Sequence, residues 1–270
     1  MEKLTHALFD PEEIIATAEL AGIEILKIYN NNTYEVEYKS DDSPVTIADE
    51  ISNDIIVERL KELTPEISII SEEVEANHHA SSLIMDTEEY FWLVDPLDGT
   101  KGFVNRTGEF CVCIALIQKG KPVAGFIYDP VRATSYFSIE GLGAFSQADG
   151  NRVKIKARKP GDVINVYMSK NHKGGEVELL DKIWPDCEQH HEGSALKFCH
   201  LASGKADIYL RTKPTSLWDT AAGQAILTAA GGEVYTLDGK VMDYIRDDLI
   251  NPAFVATANK KLGRELLESL

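Results

Sequence analysis

Four apolar residues, Phe91-Trp92-Leu93-Val94, run without interruption into Asp95-Pro96-Leu97-Asp98-Gly99-Thr100. This change limits what the chain can fold into more than any other feature. A β-rich run belongs in a core, and two carboxylates three residues apart cannot follow it there unless something compensates their charge. Pro96 restricts φ and removes a donor, so the chain must turn, which lets the side chains of Asp95 and Asp98 and the carbonyl of Leu97 converge on one point. Three hard oxygens facing one cation suit Mg²⁺, Mn²⁺ or Ca²⁺ rather than zinc, which prefers His and Cys. Asp-Pro and Asp-Gly pairs are also ordinary turn chemistry, so the loop alone leaves a metal turn and a plain capped turn equally open.

The charge balance bears on that choice. With 27 Lys and Arg against 44 Asp and Glu, the formal charge is −17, which repels a nucleic-acid backbone over most of the surface and argues against polymeric DNA or RNA as a partner. A small phosphate is still accessible to such a chain if divalent cations reverse the field locally, because a bound metal is the largest charge in its site. The 270 residues, 44% hydrophobic, suffice for one large domain or two closely packed ones. Cys111 and Cys113 would share one face of a strand and do not form a CxxC pair, so together with Cys187 and Cys199 they are expected to be reduced core thiols. No segment approaches the ~18 to 20 apolar residues of a spanning helix. A cytoplasmic protein with no transmembrane segment is expected, with peripheral attachment to the inner face of a bacterial membrane and the oligomeric state left open.

Along the chain, Asp10-Pro11-Glu12-Glu13 reads as a helix start, followed by Ile14, Ile15, Ala18, Ala21, Ile25 and Ile28 at helical spacing. A second helix is predicted from near Thr46 to before Pro65, with Asp49 in its first turn. From Ile67 the pattern changes to short β runs at 67–70, 91–94, 110–117 and 123–128, with Gly120-Lys121-Pro122 as a turn, then 134–139; an antiparallel meander is expected. Glycines 141, 143 and 150 read as turns ahead of a basic stretch, Arg152 to Lys159. That stretch is the best boundary between an N-terminal α+β subdomain, 1–155, and a C-terminal α/β subdomain, 156–270. In the second, strands are predicted at 163–168 and 207–210, and helices at 176–183, 194–203 and 219–230, the last closed by Gly231-Gly232.

Two further acidic sites accompany the loop. Ser71-Glu72-Glu73 puts an acid at a strand end, and Trp218-Asp219-Thr220-Ala221-Ala222-Gly223 puts Asp219 at the start of a helix of small residues. Taken singly, a surface acid and an N-cap are the simpler explanations. Together, Glu-Glu after a strand, D-P-L-D-G-T and W-D-T-A-A-G occur in the order that characterises the lithium-sensitive, magnesium-dependent phosphatases of the inositol monophosphatase superfamily, which this chain resembles over nearly its whole length. The resemblance implies a layered α/β/α/β/α sandwich of the inositol monophosphatase and fructose-1,6-bisphosphatase type. It also implies two or three Mg²⁺ ions held by Glu72, Asp95, the Leu97 carbonyl, Asp98 and Asp219, with Asp49, Glu72 and Thr100 catalytic. The charges agree, since four carboxylates match two divalent cations. Direct attack by water then needs no phosphoenzyme. Gly99 and Thr100 would present N–H groups to a phosphate oxygen, with Gly99 permitting close approach of the ligand.

Gly193-Ser194-Ala195-Leu196-Lys197-Phe198-Cys199, Ala206-Asp207-Ile208-Tyr209-Leu210-Arg211 and Pro214-Thr215-Ser216-Leu217-Trp218-Asp219 look like the bacterial CysQ-type 3′(2′),5′-bisphosphate nucleotidases. That resemblance implies hydrolysis of the 3′-phosphate of adenosine 3′,5′-bisphosphate to AMP, and leaves open whether the phosphosulfate precursor is also used. The expected partner is thus a small bisphosphorylated nucleotide, contacted by Glu72, Leu97, Asp98, Gly99, Thr100, Gly193, Ser194, Lys197, Arg211 and Asp219. Lys197 and Arg211 are the cations available for the second phosphate, although from the residues alone a snorkelling surface lysine and a strand-end arginine read as well. Ser169, His172 and His191 are further candidates for the same pocket, although a histidine at such positions is more often a surface or capping residue. The competing functions are an inositol monophosphatase, a fructose bisphosphatase and a catalytically silent nucleotide sensor.

Overall fold

A computed structural model describes residues 8–31, 36–38, 44–73, 90–170, 180, 182–245 and 248–269. The first two helices form where the sequence places them. Asp10 Oδ1 accepts from the Glu12 N–H at 3.0 Å and opens α1 (Pro11–Asn31). Thr46 caps α2 (Ile47–Leu63) in a reciprocal box with Asp49. Two short strands, β1 (Val36–Tyr38) and β2 (Pro44–Thr46), pair antiparallel ahead of α2.

The β runs that follow build one seven-stranded sheet in chain order: β3 (Ser68–Ser71), β4 (Tyr90–Asp98), β5 (Cys111–Gln118), β6 (Lys121–Asp129), β7 (Thr134–Ile139), β8 (Gly143–Ala148) and β9 (Asn151–Ile155). Six strands make the expected antiparallel meander, but β3 pairs parallel to β4. The turn between β5 and β6 is tighter than expected. Lys119 and Gly120 both take positive φ, 51° and 72°, so two residues reverse the chain and Pro122 lies inside β6. Gly141 and Gly150 lie in turns as expected, but Gly143 opens β8 between them, and the first part of the basic stretch is the exposed edge strand β9. Its Arg152, Lys154 and Asn151 are what an edge tolerates.

The second sheet has the order β11 (Glu188–Glu192), β10 (Asn165–Ser169), β12 (Ile208–Arg211), β16 (Phe254–Thr257), β14 (Glu233–Thr236). Of these, β11, β14 and β16 carry no expected strand, and β13 (Thr215–Ser216) with β15 (Ile250–Asn251) forms a small separate pair. The short helices are α3 (Thr100–Val104), α4 (Leu196–Ala202), α5 (Trp218–Ala229) and α6 (Lys260–Glu268). Gly231 follows α5 at φ 104°, as a C-terminal glycine should. Most of the helix expected at 176–183 lies outside the described residues.

Period-two alternation on the central strands explains the layering. Trp92, Val94, Val112, Ile114 and Leu116 point to one face and pack on α1 and α2. Phe91, Leu93, Cys111, Cys113, Ala115 and Ile117 point to the other and pack on α4 and α5, which also bury against Tyr209, Phe254 and Ala256 of the second sheet. The far face of that sheet, with Val166, Ile208, Leu210 and Val255, meets Leu262 and Leu266 of α6. The chain is therefore a five-layer α/β/α/β/α sandwich. The middle helix layer lies unusually close to the first sheet: a Cβ at Gly125 would stand 2.5 Å from the Ala222 carbonyl oxygen, so glycine is required there to seat α5. That seating carries Asp219 to the end of β4.

Candidate active site

The acids meet where β4 leaves the sheet. Asp95 and Asp98 lie opposite Cys113 and Cys111 on β5, and an irregularity in the register between them swings both carboxylates to one side. Buried Ser52 of α2 donates to the Pro96 carbonyl at 2.6 Å, and the Leu97 N–H donates to Asp95 Oδ1 at 3.1 Å, fixing the turn. From the middle layer, the Ser216 N–H donates to Asp219 Oδ2 at 2.7 Å and aims that side chain at the loop. As a result, oxygen atoms of Asp95, Asp98 and Asp219 all lie within 4.8 Å of one another. Glu72, whose N–H donates to the Val94 carbonyl at 3.1 Å, is half-buried beside them but outside this tight trio.

Crowding has an electrostatic cost. Burial and the charges of Glu72, Asp98 and Asp219 push Asp95 well above the usual carboxylate range. Burial with Asp98 and Glu72 does the same to Asp219. Burial also raises Asp98, although Lys197 and the Ala195 N–H, which donates to Asp98 Oδ2, work against it. Like-charged acids gathered around one point, Asp95 buried and Asp98 and Asp219 half-buried, all with oxygen donors, are what a hard divalent cation would compensate, so the residues present fit magnesium.

A second acid faces the same loop from α2. Asp49 is 3% exposed. Its Oδ2 accepts from the Thr46 N–H and hydroxyl, each at 2.8 Å, and its Oδ1 accepts from Thr100 Oγ1 at 3.1 Å. Burial, reinforced by Glu73 and Glu72, raises Asp49 to about 7 despite the Thr46 bonds. Thr100 Oγ1 also lies 3.2 Å from the Leu97 carbonyl. The spacing Thr46-Ile47-Ala48-Asp49 is itself a capping-box signature, so the anchoring role of Thr46 was open to a sequence reader, whereas Ser52 gives no local signal.

Two of the expected residues gain detail. Gly99 takes φ 92°, and a Cβ there would stand 2.5 Å from the Glu109 carbonyl oxygen and 3.1 Å from Ser194 Cβ. Crowding from the Glu109 backbone and the Ser194 side chain already demands glycine there. Lys197 is not a surface lysine: it is 2% exposed, donates to the carbonyls of Glu192 (3.1 Å) and Ser194, and lies over the Tyr209 ring. Burial lowers its pKa, opposed by Asp98 and Glu192.

Arg211 is buried as well, donating to the carbonyls of Lys213 and Pro214 at 3.1 and 3.3 Å. Gly193 and Ser194 form the turn before α4, held by Glu109, whose Oε2 accepts from the Gly193 N–H at 3.1 Å while Oε1 pairs with Lys170 at 2.8 Å. Ser194 takes φ 57°. Ser169 ends β10 half-buried, His191 is exposed on β11, and His172 lies outside the described residues. A cavity of about 870 Å³ elsewhere, between the β7–β8 turn and α5, contains none of these residues.

Comparison with known proteins identifies the family. A family model described as the inositol monophosphatase family matches residues 10–270. The 3′(2′),5′-bisphosphate nucleotidase CysQ of Salmonella typhimurium is 42% identical over 249 residues, covering 91% of this chain and 98% of that protein. Its counterpart from Escherichia coli K12 is 38% identical over 245 residues, covering 90% and 97%. Among solved structures, CysQ from Bacteroides thetaiotaomicron, a bacterial member of the inositol monophosphatase family, superimposes with a TM-score of 0.82 at 35% identity, covering 96% of this chain and all of that one.

Proposed function

The chain belongs to the inositol monophosphatase family, and from that premise we propose that it is a 3′(2′),5′-bisphosphate nucleotidase, hydrolysing the 3′-phosphate of adenosine 3′,5′-bisphosphate to give AMP and phosphate. The observation that carries the chemistry is the convergence of Asp95, Asp98 and Asp219 within 4.8 Å. The likeness to CysQ proteins over about nine-tenths of the chain carries the substrate class.

The enzyme is a metal-dependent phosphatase. Glu72, Asp95, the Leu97 carbonyl, Asp98 and Asp219 would hold magnesium, two or three ions in number. When bound, magnesium polarises the phosphoryl group and acidifies water.

The protein's own part in the reaction lies in Asp49 and Thr100. Thr100 Oγ1 has one proton, and donating it to Asp49 Oδ1 leaves its lone pairs to accept a proton from the attacking water. As the water oxygen bonds to phosphorus, its proton passes to Thr100 Oγ1 and the Thr100 proton to Asp49. A carboxylate raised to about 7 suits an acceptor working near neutral pH. The bond from phosphorus to the ribose 3′-oxygen breaks, and that oxygen takes a proton from solvent. No side chain becomes phosphorylated. The N–H groups of Gly99 and Thr100 at the start of α3, with that of Ser194 beside Gly193, orient the phosphate, while Arg211 and Lys197 supply positive field for the second phosphate.

The deciding measurement is the rate of Mg²⁺-supported phosphate release from adenosine 3′,5′-bisphosphate against inositol 1-phosphate. A clear preference for the bisphosphate is expected. Preference for the inositol ester would sink the substrate assignment, and no release from any phosphomonoester would leave only a nucleotide sensor.

A further inference from the structure

Cys111 and Cys113 are absent from the reaction, yet no other thiols stand so close to it. The strand register places Cys111 directly across from Asp98 and Cys113 directly across from Asp95. Both thiols are fully buried and reduced. Their sulfur atoms are 3.7 Å apart, Cys111 Sγ is 3.6 Å from Asp98 Oδ2, and one ligand atom from each of the three residues lies within 4.8 Å of the others.

These distances match a specific geometry. Two thiolates on a tetrahedral zinc at ~2.3 Å would be about 3.8 Å apart, and a thiolate and a carboxylate oxygen on the same ion would be about 3.5 to 3.7 Å apart. The set therefore needs little rearrangement to accept a soft cation. It differs in kind from its neighbour. Asp95, Asp98 and Asp219 offer only oxygen, which favours hard ions, whereas two sulfurs and one oxygen select thiophilic ones. Asp98 belongs to both sets and, unlike the thiols, is partly open to solvent, which gives an ion its way in.

We propose that Cys111, Cys113 and Asp98 form an inhibitory site for a thiophilic divalent cation, zinc or cadmium, beside the magnesium site. Each ligating thiol gives its proton to solvent, and the cation takes Asp98 from the magnesium set, so its occupancy stops turnover. The inhibitory consequence rests on the function proposed above; the binding does not.

The test uses the full chain carrying Cys187→Ser, which removes the partly exposed thiol, kept reduced with a phosphine. Cadmium is titrated while the ultraviolet thiolate-to-cadmium charge-transfer band is followed, and zinc is titrated into the magnesium-supported reaction. The expected result is a band that saturates at one equivalent and vanishes in Cys111→Ser/Cys113→Ser, with a zinc inhibition midpoint about tenfold or more higher in that variant. Cys113→Ala serves as a second variant should the double change fail to fold, as judged by its thermal melt. No band in the parent chain, or equal zinc inhibition with and without the thiols, overturns the site. A parent chain without bisphosphate nucleotidase activity would instead refute the proposed function, while the cadmium titration still decides the binding.

Discussion

Thr100 Oγ1 stands 3.1 Å from Asp49 Oδ1, joining the first turn of α3 to the first turn of α2 across 51 residues of sequence. In the proposed mechanism, removing either end breaks the proton path to the attacking water. Asp49→Asn and Thr100→Ala are expected to lower kcat by about 100-fold or more, the scale of a lost general base. Magnesium binding, followed by calorimetry, is expected to persist because neither side chain belongs to the Asp95, Asp98 and Asp219 trio. Thr100→Ser keeps the hydroxyl and should retain most of the rate; an inactive serine variant would show that the methyl group, not the proton path, matters.

The charge cluster makes stability depend on pH and metal. Asp49 is raised to about 7, and Asp95 and Asp219 are raised too, each above the ordinary carboxylate value near 4. Between those limits the folded state binds more protons than the unfolded one, so stability falls as pH rises. The metal-free chain is therefore expected to melt at a lower temperature at pH 8 than at pH 5. Magnesium at a hundred times its dissociation constant should restore about 2.7 kcal/mol at the higher pH. A melting temperature that is flat with pH in the chelated protein would contradict the assignment.

Gly99 combines a left-handed backbone with a blocked Cβ position. Gly99→Ala is expected to cost about 2 kcal/mol or more, read as a shift in the urea midpoint without a change in slope. Because the clash is with Glu109 backbone, the loss should appear in the unliganded protein. A variant as stable as the parent would contradict this crowding.

Arg211 tests the recognition of the second phosphate. Its guanidinium is already held by the Lys213 and Pro214 carbonyls, which fixes its position before substrate arrives. Arg211→Met is expected to raise KM for adenosine 3′,5′-bisphosphate about 10- to 100-fold, as for a lost hydrogen bond to a charged group. The effect on adenosine 3′-monophosphate should be small. An equal loss on both substrates would remove Arg211 from specificity.

Legibility in the sequence varied with how local the cause was. Both N-terminal helices carry their caps and periodicity in their own residues, and they form within a residue or two of the expected bounds. By contrast, β8 and β9 were obscured by glycines that read as turns, and β14 and β16 hold their places because neighbouring layers cover them. The parallel pairing of β3 has no signature in Ser68–Ser71 itself. At the site, Lys197 was legible as a cation near the turn, but not as a buried one with its ammonium on the Glu192 and Ser194 carbonyls.

The sequence by itself determined the layered α/β class, the acidic strand end at Asp95 to Thr100 and the order of its three motifs, because periodicity, caps and proline geometry act over a few residues. Tertiary structure decided which acids share a centre. Asp98 accepts from Ala195, 97 residues away, and lies opposite Cys111 only through the irregular register of β4 on β5. Asp219 arrives because glycine at position 125 lets α5 approach the sheet. Convergence of like charges opposes itself locally, so no local pattern can encode it; the packing of the layers holds it in place.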